Sequence, residues 1–173
     1  MLVAMAGLPG AGKSAVAAAL GRELRAPVLA VDAAEAAMWR SGIDATQRDG
    51  VGLAAYAVVH TAAAAALDAG HTVVVDAVNA VAPARDAWRG LAREHGVALR
   101  WIEVVCSDPM LHRARLEERG SRYAELAEPT WSQVQARVVE PWDDDRLVLD
   151  SVRPLAELLP EALRHVTGRH AGR

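Results

Sequence analysis

The stretch GLPGAGKS, residues 7–14, places glycines, a lysine and a serine in the spacing G-x-x-x-x-G-K-S. Glycines allow successive backbone N–H groups to turn toward the oxygens of a phosphate. Lys13 adds a compact positive charge for the β and γ phosphates, and the Ser14 hydroxyl is suited to Mg²⁺. The stretch therefore predicts a phosphate-binding loop that opens a helix. The residues expected to contact the nucleotide are Gly7, Pro9, Gly10, Ala11, Gly12, Lys13, Ser14 and Ala15.

Lys13 is the only lysine in a chain with 19 lysine and arginine residues. A compact ammonium fits inside a loop wrapped around a phosphate, whereas the wide guanidinium of arginine does not, which explains why lysine is kept here. A second lysine would be needed for the Asn/Thr-Lys-x-Asp motif with which common GTPases bind guanine. The sequence therefore disfavours a GTPase of that kind, and both ATP and GTP stay open as the nucleotide.

Two aspartates follow apolar runs that are typical of buried strands: Asp32 ends VLAVD and Asp76 ends TVVVD. Ligands of parallel α/β sheets bind at the carboxyl ends of the strands, so both carboxylates are expected near the nucleotide. One can order Mg²⁺ or its waters, while the other accepts the proton of an attacking hydroxyl. We assign Asp32 as the base and Asp76 to the metal through water. The reversed roles, and a helix N-cap role for each, remain alternatives.

Several arginines occur in RARLEERGSR, residues 113–122. We predict a small lid over about 113–130, in which Arg119 and Arg122 close over the phosphates and stabilise charge on the transferred group. Arg115 lies four residues before Arg119, on the same face of a helix, and is predicted to contact the nucleotide. The alternative is a solvated helix face on which these arginines pair with the interleaved glutamates.

Short apolar, β-branched runs alternate along the chain with longer segments rich in Ala, Leu and Arg. This alternation predicts an α/β fold with a five-stranded parallel sheet and crossover helices. The predicted strands are Leu2–Ala6, Pro27–Val31, Thr72–Val75, Leu99–Val105 and Arg146–Leu149. The predicted helices start at Lys13, Pro109 and near Trp131, or span Ala33–Arg40, Val51–Leu67, Pro83–His95 and Pro154–Val166. A mobile connector is predicted over 41–50 and a frayed tail over 168–173.

Length and composition limit the number of domains, the partners and the location that the chain can have. With 173 residues, 52% of them hydrophobic, the chain is expected to form a single domain, 1–173. The net charge of −3 gives no basic field, which disfavours nucleic acid and anionic membrane as partners. No apolar run is expected to approach the roughly 20 residues of a membrane span. The lone Cys106 excludes an internal disulfide, is expected to be a buried structural thiol, and favours a cytoplasmic location.

Aromatic residues near the predicted site have two interpretations. Trp39, Tyr56, Trp131 and Trp142 could form a wall for a ring-bearing substrate. Because the chain has no phenylalanine, we favour core packing for each of them. His60 lies in an apolar helical pattern and is expected to be structural.

Together these segments resemble the small P-loop kinases, in particular the chloramphenicol phosphotransferase and gluconate-kinase-like group. The resemblance is carried by GLPGAGKS, by VDAAEAAM, by AGHTVVVDAVN, by the lid-like RARLEERGSR and by LVLDSVRPLAEL. It places Asp32 at the position of the proposed base in that group. It implies ATP or GTP with Mg²⁺ and transfer of the γ-phosphate to an alcohol. No motif matches over Met38–Gly52, where such relatives build the acceptor pocket.

The expected activity is therefore an O-phosphotransferase acting on a small molecule, such as a sugar, a hydroxylated antibiotic or a nucleoside natural product. A polynucleotide 5′-hydroxyl kinase would need a basic channel with stacking aromatics. A nucleotide kinase would need several cations for its second phosphate, yet only Arg40 and Arg48 occur between Ala33 and Gly70. A non-catalytic nucleotide sensor is the alternative outside the enzymes. The sequence gives no indication of the oligomeric state.

Overall fold

The computed structural model describes residues 1–43, 48–118, 120 and 123–168, with the backbone alone at 48 and 49. The strands are β1 (Leu2–Ala6), β2 (Val28–Ala30), β3 (Val73–Asp76), β4 (Leu99–Val105) and β5 (Arg146–Asp150). The helices are α1 (Lys13–Leu24), α2 (Val31–Arg40), α3 (Arg48–Asp68), α4 (Ala82–Glu94), α5 (Pro109–Glu118), α6 (Trp131–Ala136) and α7 (Leu155–Thr167). The strands form one parallel sheet in the order β2-β3-β1-β4-β5. The predicted α/β class and five-stranded parallel sheet are confirmed.

The central strand β1 is buried on both faces because helices cover each side of the sheet. Its residues alternate between two core clusters: Leu2 and Ala4 belong to one, and Val3 and Met5 to the other. Helices α3 and α4 supply the first cluster, and α1 and α7 supply the second. This explains why β1 and the first three residues of β3 are continuous apolar runs rather than alternating ones. The strand order leaves the loop after β1 between the ends of β3 and β4, where ligands of such sheets bind.

Strand β2 is shorter than predicted, because the chain turns helical at Val31. Val31 is β-branched and apolar, which favours a strand, but its side chain is buried in the first core cluster from the first residue of α2. Tertiary packing therefore overrides the local preference. As a result Asp32 lies in the first turn of a helix, and Ala30 is the N-cap residue.

Helix α3 begins earlier than predicted, at Arg48, within the segment expected to be a connector. Residues 44–47 of that connector lie outside the described part of the chain. Between Gly50 and Asp68 the mean hydropathy reaches 1.6, so the helix is long and apolar enough to span a membrane by those criteria alone. The expectation that no apolar run approaches this length was wrong, because abundant alanine makes the segment apolar. One face of the helix, with Ala55, Val59 and Ala63, packs in the first core cluster.

Candidate nucleotide and acceptor site

The loop between β1 and α1 folds in a way that requires glycine. At Gly7, with φ of +134°, an added Cβ would lie 2.2 Å from the carbonyl oxygen of Val104. The Gly7 N–H instead donates to the carbonyl of Val78 at 3.2 Å, which joins the loop to the segment after β3. At Gly10, with φ of +82°, a Cβ would lie 3.1 Å from the ring of His112. The predicted loop is thus held against β4, the β3 loop and α5.

The N-terminus of α1 is open toward solvent. Its N-cap is Gly12, which supplies no side-chain hydrogen bond, and its first turn carries no acidic residue. The first backbone N–H groups of a helix lack internal partners and attract anions, especially phosphates. The loop and α1 therefore have the geometry for binding phosphate groups.

Lys13 and Asp76 form a buried ion pair at this end of the sheet. They are 8% and 6% exposed, and the distance from Lys13 Nζ to Asp76 Oδ1 is 3.0 Å. That oxygen receives no well-oriented hydrogen bond from the described residues. Asp76 is the last residue of β3, six positions before α4, so the alternative that it caps a helix was wrong.

The donor set fits Mg²⁺. Asp76 offers a buried carboxylate oxygen whose one close partner among the described residues is the Lys13 ammonium, and Ser14 lines both cavities beside the loop. No group of three or more His, Cys, Asp or Glu side chains that could hold a metal occurs among the described residues. Such a sparse set suits Mg²⁺, which usually keeps several waters and binds substrate phosphates beside one or two protein oxygens.

A cavity of about 520 Å³ runs along the loop toward α7, and Arg115 lies on its wall. Arg115 Nη1 donates to the carbonyl oxygen of Ser151 at 3.0 Å and to its hydroxyl at 2.9 Å. Arg113 instead donates to Glu117 at 2.8 Å on the exposed face of α5. The structure thus separates the two interpretations of the arginine cluster: Arg115 faces the cavity, whereas Arg113 belongs to a solvated face. Arg119 and Arg122 lie outside the described residues and stay predictions.

A second cavity of about 220 Å³ lies on the other side of the loop. Its lining includes Lys13 and Ser14 from α1, Asp32 and Glu35 from α2, and Arg137 after α6. Asp32 is exposed and does not cap α2. The structure therefore places the expected base in the same cavity as the loop lysine and serine, and the N-cap alternative for Asp32 was wrong.

Asn79 holds the segment between β3 and α4. It adopts φ of +51°, a left-handed conformation that asparagine tolerates better than most residues. Its Nδ2 donates to the carbonyl of Met5 at 2.7 Å, and its Oδ1 accepts from Trp88 Nε1 at 2.9 Å. Its backbone N–H points to the Tyr56 hydroxyl at 3.4 Å. Burial raises the pKa of Tyr56, and the negative charge of Asp32 raises it further, so the phenol stays neutral.

His112 supports the loop from α5, a role that sequence reasoning missed. The buried imidazole lies with Nε2 2.8 Å from the carbonyl oxygen of Pro9, which accepts its N–H. Trp131 packs edge-on against the ring at 5.1 Å. Because His112 and Pro9 are 103 positions apart, no local pattern indicates the contact.

Most of the aromatic side chains pack internally, as favoured above. Trp142 packs edge-on against Trp101 at 5.0 Å, and His60 stacks on Trp88 at 5.7 Å.

Cys106 is half-buried and lies with Sγ 3.4 Å from the carbonyl of Asp108, so the expectation of a buried thiol was wrong. It follows the end of β4, where the sheet edge opens to the surface.

Comparison with known proteins identifies the family. The AAA domain family matches residues 2–141. The chain belongs to this family. As in the resemblance drawn from the motifs, the AAA domain here is a small P-loop kinase fold. No curated protein sequence matches the chain significantly.

Solved structures share the fold of this AAA domain at low sequence identity. A candidate kinase from Chloroflexus aurantiacus superposes with a TM-score of 0.76 at 20% identity, covering 95% of this chain and 97% of the other. A gluconokinase from Sinorhizobium meliloti gives 0.68 at 21% identity, with coverages of 96% and 91%. The APS kinase of Mycobacterium tuberculosis, in complex with AMPPNP and APS, gives 0.69 at 21%, with 96% of each chain covered. These similarities show the fold.

Proposed function

We propose that this AAA-domain protein is an ATP- or GTP-dependent phosphotransferase that moves the γ-phosphate to a hydroxyl of a small molecule. The observation that carries the proposal is the cavity shared by Asp32, Lys13 and Ser14. A carboxylate facing the phosphate-binding loop is what a hydroxyl acceptor requires and what a nucleotide sensor does not need.

The nucleotide phosphates lie, in this proposal, against the loop from Gly7 to Ala15, with Lys13 leaving Asp76 to contact the β and γ phosphates. Ser14, and Asp76 through water, would hold Mg²⁺, which would neutralise charge on the phosphate oxygens when bound. Arg115 contacts the nucleotide from the larger cavity. The loop geometry and the buried ion pair support these roles.

Asp32 accepts the proton of the acceptor hydroxyl as that oxygen attacks the γ-phosphorus. The new O–P bond forms while the bond to the β-phosphate oxygen breaks, and ADP or GDP leaves. Arg119 and Arg122 are the proposed lid residues that stabilise charge on the transferred group. Exclusion of water by the lid would limit hydrolysis of the nucleotide.

The acceptor side favours a neutral molecule. Asp32, Glu35 and Arg137 line the cavity together, while Lys13 is occupied by the phosphates of the nucleotide in this proposal. A nucleoside monophosphate would bring a second phosphate close to two carboxylates, at an unfavourable Coulomb energy. We propose a sugar, a hydroxylated antibiotic or a nucleoside natural product as the acceptor, with a cytoplasmic location for the protein.

The test is a parallel assay of ADP or GDP release with neutral hydroxylated molecules, nucleoside monophosphates and a 5′-hydroxyl oligonucleotide. Transfer to a neutral molecule supports the proposal, whereas transfer to the monophosphates or the oligonucleotide alone contradicts it. In the active combination, Asp32→Asn should lower transfer by about 10²–10⁴-fold while nucleotide affinity stays within a few-fold. If Asp76→Asn abolishes transfer and Asp32→Asn does not, the base is Asp76.

A further inference from the structure

A third cavity of about 410 Å³ adjoins the cavity that contains Asp32. Val78 and Arg137 line both of them, so the two spaces share a wall. The remaining lining of the third cavity is almost entirely apolar and comes from α3, from the start of α4 and from the segment after α6. Its principal side chains are Leu53, Tyr56, Val81 and Val138. We call this cavity the apolar groove.

The rim of the apolar groove leaves large aliphatic side chains in contact with water. Leu53 is 76% exposed and Val138 is 72% exposed, although they lie on segments far apart in sequence. Neither belongs to a core cluster, so folding does not explain them. Apolar side chains that converge from separate segments around a concave surface are typical of a binding site for an apolar group.

Tyr56 connects the apolar groove to the site of transfer. Its ring lines the groove, while its hydroxyl lies 3.4 Å from the backbone nitrogen of Asn79. Asp32 lines the neighbouring cavity, which shares Val78 and Arg137 with the groove. A molecule whose hydroxyl faces Asp32 therefore has the apolar groove directly beside it.

We infer that the acceptor is an amphipathic alcohol whose apolar body occupies the apolar groove and whose hydroxyl faces Asp32. This inference rests on the proposed function and narrows its substrate class. A sugar acid or a polyol would leave the groove without an apolar partner and would place its polar groups against Leu53 and Val81. Such polar acceptors lose solvation there without gaining hydrogen bonds, which makes them poorer substrates.

A matched pair of probes tests the inference. Glycerol and 3-phenoxypropane-1,2-diol share a hydroxylated three-carbon chain and differ in the phenoxy group. Binding of each is measured by ligand-observed NMR on the full chain without nucleotide. Burial of the aromatic ring in the groove should make the phenoxy compound bind about tenfold or more tightly than glycerol.

Variants of exposed residues locate the binding. Leu53→Glu should remove the preference for the phenoxy compound, and Val138→Glu, on a different segment, should do the same. Val58→Glu is the matched control, because Val58 is an exposed aliphatic residue of α3 that does not line the groove. It should keep the full preference. Circular dichroism confirms that each variant is folded.

The outcomes distinguish failure of the inference about the groove from failure of the proposed phosphotransferase activity. Equal binding of the two probes, absence of binding by the phenoxy compound, or an equal loss in Val58→Glu overturns the inference. So does a concentration-dependent dimer that Leu53→Glu dissociates, because a second copy of the chain would then fill the groove. If the phenoxy compound binds as expected but no alcohol stimulates release of ADP or GDP, the groove stands and the proposed phosphotransferase activity fails.

Discussion

The phosphate-binding loop is one continuous segment, residues 7–15, whereas the acceptor side is assembled from α2, α3, the segment after β3 and the chain around Arg137. The first depends on backbone geometry, which Gly7 and Gly10 make possible. The second depends on side chains that become neighbours only after folding. A phosphate is the same in every nucleotide, so a short motif suffices to bind it, whereas an acceptor is recognised by a surface particular to each protein.

The largest expected effect is on the nucleotide side. Lys13→Ala removes the charge that faces the β and γ phosphates and should lower nucleotide affinity by about a hundredfold or more. Calorimetry with Mg²⁺ measures the affinity, and circular dichroism reports on the fold. Affinity equal to that of the unaltered chain would contradict the loop assignment.

The next effect separates two arginines of α5. Arg115→Ala removes a cation from the wall of the nucleotide cavity and should weaken nucleotide binding by about tenfold. Arg113→Ala is the control, because Arg113 pairs with Glu117 on an exposed face, and its loss should change affinity by less than about twofold. Equal effects of the two substitutions would show that Arg115 is not a nucleotide contact.

A smaller effect is expected where α5 supports the loop. His112→Ala leaves the Pro9 carbonyl without its donor, and should lower stability by about 1–3 kcal/mol. Nucleotide affinity should fall by a few-fold, since the loop loses a support but no phosphate contact. Thermal unfolding and calorimetry measure the two quantities, and His112→Gln, which keeps a donor, should recover part of each. Unchanged stability in His112→Ala would contradict this role.

The smallest effect lies on the acceptor side. Glu35→Gln keeps the size and hydrogen-bonding capacity of the side chain but removes its charge, so the KM for the acceptor should rise by about two- to fivefold. Nucleotide affinity should stay the same, because Glu35 lines the acceptor cavity and not the nucleotide cavity. An equal change in the acceptor KM and in nucleotide affinity would mean that Glu35 also acts on nucleotide binding.

The sequence predicts the features that depend on neighbouring residues better than those that folding assembles. The strands Leu2–Ala6 and Leu99–Val105 are predicted with their observed ends, because the first is a continuous apolar run and the second is rich in apolar, β-branched residues. The loop is predicted because its glycines, Lys13 and Ser14 all lie within eight successive positions, residues 7–14. The boundary at Val31 could not be predicted, since burial in the core overrides its preference for a strand.

Long-range contacts mark the limit of sequence reasoning. His112 contacts Pro9 across 103 positions, and Leu53 of α3 lines the same groove as Val138 of the segment after α6. Asn79 gave a weak local signal, because asparagine is enriched in left-handed backbone, but its partners Met5 and Trp88 were not indicated. Such contacts depend on how elements pack, which periodicity does not describe.

The position of Val78 links the binding of the nucleotide to the binding of the acceptor. The Val78 carbonyl accepts the N–H of Gly7, and Val78 lines both the acceptor cavity and the apolar groove. A shift of the phosphate-binding loop on nucleotide binding would therefore displace a wall that the acceptor touches. Coupling of this kind is reciprocal: if nucleotide raises affinity for the acceptor by some factor, the acceptor raises affinity for nucleotide by the same factor. One peptide unit would thus make the two substrates allosteric effectors of each other.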